Sequence, residues 1–179
     1  KLLNMDSEEE GIMLASCAGG CSSRVTLKLD KNKITGTKLS ITLSGLTGGH
    51  SGVEIDKGRG NANVLMSRIL RDAMIDNNVY LAAFNGGRKD NAIPRECMAE
   101  IIVAADKAAD VKAAIENTAK EIKEEFATSD ADLKCVIDIS EGCSAEAVTY
   151  EDSIRAVSLI QSLPNGIMRM SQDIDNLVE

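Results

Sequence analysis

Polar and hydrophobic residues alternate along 24–29, where Val25, Leu27 and Leu29 are interleaved with Arg24, Thr26 and Lys28. The same period of two recurs along 38–44, with Leu39, Ile41 and Leu43 on one side and Lys38, Ser40, Thr42 and Ser44 on the other. Both are patterns of half-buried strands. The polar stretch from Asp30 to Lys33 fits either a turn between them or the bend of one long strand. Gly45 to Gly60 holds six glycines and reads as a loop. A helix is expected from about Asn61, because Leu65, Met66, Ile69, Leu70 and Ala73 recur at three- and four-residue spacing. Asn77-Asn78 closes it. Val79 to Phe84 then reads as a strand, Asn85 to Pro94 as a loop and Cys97 to Ala104 as a strand. Val111, Ile115, Ala119, Ile122 and Phe126 mark a second amphipathic helix over 111–126, and Leu133 to Ile139 alternates again.

The order strand, helix, strand, strand, helix, strand over 38–139 predicts an α+β fold of the ferredoxin-like, split βαβ type. In it two helices cover one face of an antiparallel sheet. The flanks fit this plan less closely. Residues 1–20 read as a buried strand with a Gly-rich exit. Residues 149–163 read as a third helix, opened by Thr149 with Asp152 three positions on, an approximate capping box. It stops at Pro164-Asn165-Gly166, and Ile167 to Ser171 starts a further strand.

Composition narrows the function classes. The chain has 179 residues, 44% of them hydrophobic, enough for one globular domain with flanking segments. Its formal net charge of −8 repels a phosphate backbone, and with no Trp and 2% aromatics it offers no stacking platform. A nucleic-acid partner is excluded. No apolar run of about 18 residues occurs, so a membrane-spanning helix is not expected, and no signal peptide is visible. The five cysteines are odd in number and irregularly spaced, which speaks for reduced thiols in the cytoplasm.

Three stretches could carry chemistry. His50, the only histidine, sits in Gly48-Gly49-His50-Ser51-Gly52. It is either an imidazole presented on a loop tip to donate a hydrogen bond or carry a proton, or a surface histidine in a flexible loop. Asn91 lies in Asn91-Ala92-Ile93-Pro94 after Gly86-Gly87. Its amide, with Arg88 or Arg95 nearby, suits a substrate carboxylate or carbonyl, and equally suits local turn chemistry. Asp6, Ser7, Glu8, Glu9 and Glu10 follow the apolar Leu2, Leu3 and Met5; they fit a divalent-ion site at a strand end or a solvated acidic turn.

In their order and separation, LLNMDSEEEG, GLTGGHSG with GRGNAN, and FNGGRKDNAIPRE resemble the aminoacyl-histidine dipeptidases. These are also called cytosol non-specific dipeptidases, and belong to the two-zinc peptidases with a catalytic domain and an inserted lid. The resemblance covers essentially the whole chain. It implies that Asp6 is a ligand of one zinc, that His50 stabilises the tetrahedral oxyanion, in many relatives at the other subunit's site, and that Asn91, with Arg88, helps hold the dipeptide substrate. It implies metal-assisted hydrolysis, in which a water acidified by two zinc ions attacks the peptide carbonyl. It further divides the chain into a catalytic-domain segment, 1–20, a lid and dimerisation domain, 21–164, and a return segment, 165–179. The remaining ligands and the general-base glutamate of that family have no counterpart here. The expectation is an excised piece of a homodimeric enzyme, inactive by itself and without retained zinc.

Two other readings compete. One is a free-standing α+β small-molecule-binding or regulatory module, which has no need of GGHSG and NAIP in that order. The other is a metal or redox protein built on Cys17 and Cys21, for which no further ligands complete a site.

Overall fold

The alternation around Leu39, Ile41 and Leu43 becomes strand β1, Lys31–Ser44, in the computed structural model, which describes residues 10–13, 19–175 and 178. These three side chains are buried, while Lys38 and Ser40 turn to the opposite face. Strands β2 (Gly49–His50) and β4 (Ala92–Ile93) form a short ladder of their own. Strands β3 (Tyr80–Gly86), β5 (Cys97–Val103) and β6 (Lys134–Val148) join β1 in a sheet of order β3-β5-β1-β6, antiparallel throughout. This is the predicted split βαβ arrangement.

Three helices lie on the face that carries Leu39, Ile41 and Leu43: α1 (Ala62–Met74), α2 (Ala108–Glu125) and α3 (Tyr150–Ser162). Helix α1 packs between the other two. Its Leu65, Met66, Ile69 and Leu70 meet Val111, Ile115 and Ile122 of α2 in one core with the sheet. That core is aliphatic, as the near absence of aromatics requires. Asn61 caps α1, its Oδ1 accepting from the Asn63 and Val64 amides at 3.0 and 3.4 Å. Thr149 caps α3 through the Asp152 amide at 3.2 Å. The Asp152 carboxylate does not complete the reciprocal box. It accepts instead from the Asp30 amide at 3.0 Å and from Arg155 at 2.6 Å, tying the chain before β1 to α3. The Asp30 hydrogen bond, then Arg155, holds that carboxyl below the usual range.

Several expectations are corrected. No strand forms over 24–29; among the described residues that segment has no ladder partner, although Leu27 and Leu29 pack against the core. The stretch 30–33 holds no turn between strands, since β1 already begins at Lys31. Strand β6 runs on from Ile139 to Val148, through a bulge where Glu141 and Gly142 oppose the single Thr37. Its second half pairs with Lys31–Gly36, and the small, polar run Ser140–Ala145 concealed it because this ribbon is largely exposed. At the bend, a Cβ on Gly36 would collide with the Val103 carbonyl. Helix α2 starts three residues earlier than expected, and the expected third helix, α3, joins α1 and α2 on the face where two were expected. Ile167–Ser171 forms no strand, only an isolated bridge between Met170 and Val178. The strand expected over 1–20 lies mostly outside the described residues.

Candidate functional site

The two Gly-rich segments meet in space. In the β2–β4 ladder Gly49 pairs with Ile93 and His50 with Ala92, and the Ser51 amide donates to the Asn91 carbonyl at 3.1 Å. The Ala62 amide at the head of α1 donates to the Pro94 carbonyl at 3.0 Å, so the helix carries the second loop. His50 is thus one rung from Asn91 across a ladder. Beside them opens a cleft of about 870 Å³ whose walls include Ser51, Asn61, Asn63, Arg88, Pro94 and Asn165. His50 and Asn91 stand at its margin, through their neighbours Ser51, Asp90 and Ala92 in the wall. Arg88 projects into solvent, 86% exposed, and pairs with Glu96 at 2.6 Å. The Asn63 Oδ1 is buried against Gly86 without a hydrogen-bond partner among the described residues.

The loop conformation sets the histidine's chemistry. His50 Nδ1 accepts from the Gly52 amide at 3.0 Å and the Val53 amide at 3.3 Å. With Nδ1 committed as an acceptor, the neutral ring carries its proton on Nε2 and presents an N–H donor there. The His50 amide donates to Glu54 Oε2 at 2.8 Å, and the Glu54 amide returns to the His50 carbonyl at 3.2 Å. Glu54 Oε1 pairs with Arg59 Nη1 at 2.8 Å, and the same nitrogen donates to the Gly48 carbonyl at 2.5 Å. The His50 amide, then Arg59, holds the Glu54 carboxyl below its ordinary 4.5. Gly49 has φ +142°, and a Cβ there would run into the Arg59 guanidinium and the Glu54 carboxylate.

A buried carboxylate closes the base of the loop. Asp130, 1% exposed, accepts from the Thr47 amide through Oδ1 and from the Gly60 amide through Oδ2, both at 2.8 Å. Ser129 Oγ donates to Oδ2 at 2.8 Å, and Thr47 Oγ1 donates to the Ser129 carbonyl at 2.7 Å. The two ends of a 14-residue loop are therefore held by one side chain from beyond α2.

Sequence reading singled out His50, Asn91 and Arg88; Arg88 lines the cleft, while His50 and Asn91 lie next to lining residues. It missed Glu54, Arg59 and Asp130. A carboxylate four residues after the lone histidine was the available signal for Glu54; for Asp130, 70 residues from Gly60, there was none. Asp6 and Cys17 lie outside the described residues. Among the described residues no three His, Cys, Asp or Glu side chains come together as a metal site. Burial pushes the Cys97 thiol up to about 12 and Cys135 to about 11, with Glu116 adding to the latter, so neither is a ready thiolate. No helix among the described residues is long and apolar enough to cross a membrane.

Comparison with known proteins identifies the family of this fold. The chain is 40% identical to the cytosol non-specific dipeptidase of Escherichia coli (strain K12), over 99% of its own length and 37% of the relative's. It therefore spans little more than a third of that protein. The crystal structure of aminoacylhistidine dipeptidase from Vibrio alginolyticus superposes with a TM-score of 0.78 at 30% identity, covering 86% of this chain and 31% of that one. Residues 41–130, which hold the loop, its ladder partner and the Asp130 clamp, match the model of one family. The chain belongs to the peptidase dimerisation domain family.

Proposed function

We propose that this chain is the lid and dimerisation part, residues 21–164, of a cytoplasmic, homodimeric metallodipeptidase that hydrolyses Xaa-His and other dipeptides. The observation that carries the reading is the pair of amides, Gly52 and Val53, on His50 Nδ1 beside a cleft, which leaves Nε2–H as the ring's donor. Such a donor stabilises an oxyanion developing on a peptide carbonyl, in the same or a partner subunit's site. Asn91 holds the substrate beside it. Arg88, whose present partner is the exposed Glu96, exchanges that carboxylate for the substrate's own. Zinc is the metal implied by the resemblance, with Asp6 one ligand. The described residues supply no ligand set for it, so any ligand from Asp6 has to be completed by other parts of the whole enzyme. This 179-residue chain, given zinc, is expected to release no product from a dipeptide, and measurable turnover by the pure chain would refute that.

The sheet supports dimerisation through the lid. Strand β6 stands at its edge, with 15 residues and no outer partner among the described residues. An edge of that length invites pairing with a second copy. Sedimentation equilibrium of the intact chain and of a chain trimmed to about Ser22–Asn165 tests this. A dimer that survives trimming places the interface in the lid. A dimer lost on trimming places it in the flanking segments and removes this support for His50 serving a partner.

A further inference from the structure

His50 sits on a weak support: a ladder of two residues per strand, half-buried apart from the exposed His50 and the buried Ile93, which by itself holds little. Donor geometry is the whole of the role assigned to the ring, and a displacement of about 1 Å in such a group costs roughly a hundredfold in rate. Something besides the ladder has to define the turn. The Glu54–Arg59 pair is placed to do so, since it binds backbone groups on either side of Gly49, the His50 amide and the Gly48 carbonyl. Both partners are partly shielded, with Arg59 20% and Glu54 37% exposed, and no side chain at position 49 intervenes.

We propose that Glu54 and Arg59 are positioning residues for His50: together they fix the turn 48–53 so that the Gly52 and Val53 amides point at Nδ1 and hold the ring as its Nε2–H tautomer. This rests on the donor role proposed for His50. The link from clamp to ring runs through the backbone. The Glu54 amide closes on the His50 carbonyl, and the Ile55 amide closes on the Gly52 carbonyl at 3.1 Å. Rotation of the His50 peptide, once its amide loses Glu54, swings both Nδ1 donors away. The ring is then free to turn and to take its proton on either nitrogen.

Because the chain has one histidine, its ring nitrogens can be read without assignment ambiguity in 15N-labelled protein, at a pH where the ring is neutral. The parent chain is expected to show the Nε2–H tautomer alone, with a coupling across the hydrogen bond from Gly52 N to Nδ1. In Glu54→Ala and in Arg59→Met that coupling disappears and the second tautomer becomes visible. Amide exchange at Gly52 and Val53 rises by about tenfold, the equivalent of one hydrogen bond lost. Amides in the middle of α1 keep their parent rates, which separates loss of the clamp from loss of the fold. Parent-like ring signals and parent-like Gly52 exchange in both variants would overturn the proposal. Should Glu54→Ala fail to fold, Glu54→Leu, which keeps much of the side-chain volume but has no acceptor for the His50 amide, is read by the same two signals, and a parent-like result there overturns it equally. Failure of the clamp is distinguishable from failure of the donor role, because the latter is read from the kcat of a His50 variant in the whole enzyme.

Discussion

Replacing His50 by alanine in the whole enzyme is expected to lower kcat for a dipeptide by about a hundred- to a thousandfold, with KM little changed. The asymmetry follows from when the hydrogen bond matters. A planar substrate carbonyl carries little charge, whereas the tetrahedral oxyanion carries nearly a full one, so an N–H aimed at its position is worth most in the transition state. Removal of one such donor from a water-poor site costs about 3–4 kcal/mol. His50→Gln, which keeps a shorter N–H donor, should recover part of the loss. Steady-state kinetics decides: a kcat equal to the parent's in His50→Ala would mean that the ring does not face the reacting carbonyl. Mixing His50→Ala with an Asp6→Ala partner chain adds the subunit question. Activity regained on mixing shows one copy lending its histidine to the other's site.

Asp130→Ala is expected to destabilise the domain by about 2–4 kcal/mol. The carboxylate accepts three hydrogen bonds at 2.8 Å, and the Gly60 amide among its donors is buried. Alanine leaves that amide without an acceptor, while the more exposed Thr47 amide turns to water. A loss of this size lowers the melting temperature of a domain this long by roughly 5–15 °C. Calorimetry or denaturant titration of the chain reads it directly. Asp130→Asn retains one acceptor oxygen and should fall between parent and alanine. If alanine melts within about a degree of the parent, the carboxylate is not closing the loop, and the base of the His50 segment is held by the core alone.

Much of the fold was legible in sequence because it rests on local periodicity. The three- and four-residue spacing of Leu65 to Ala73 marks α1 whatever it packs against, and Asn61 caps the helix where it was expected. The alternation of Leu39, Ile41 and Leu43 marks the core face of β1 in the same way. These patterns report burial on one side, and burial on one side is what an amphipathic element is. The GGHSG and NAIP motifs likewise pointed to His50 and Asn91 by residue type and order.

The extent of β6 was not legible, because Ser140–Glu146 is mostly exposed or half-buried and its backbone is satisfied by the Lys31–Lys38 segment of β1, more than a hundred residues away. A ladder bond needs only an amide and a carbonyl, which every non-proline residue has, so such pairing leaves no mark on composition. The adjacency of His50 and Asn91 and the closure of the loop by Asp130 are of the same kind. From the sequence alone came the fold class, the core faces and the residues able to do chemistry, since side-chain type and short-range spacing specify those. Which of these residues meet was decided only by the tertiary structure, because hydrogen bonds between distant chain segments depend on distance in space and not on distance in sequence; which nitrogen of His50 is free to donate was decided by the conformation of the turn 50–53, which residue type alone does not specify.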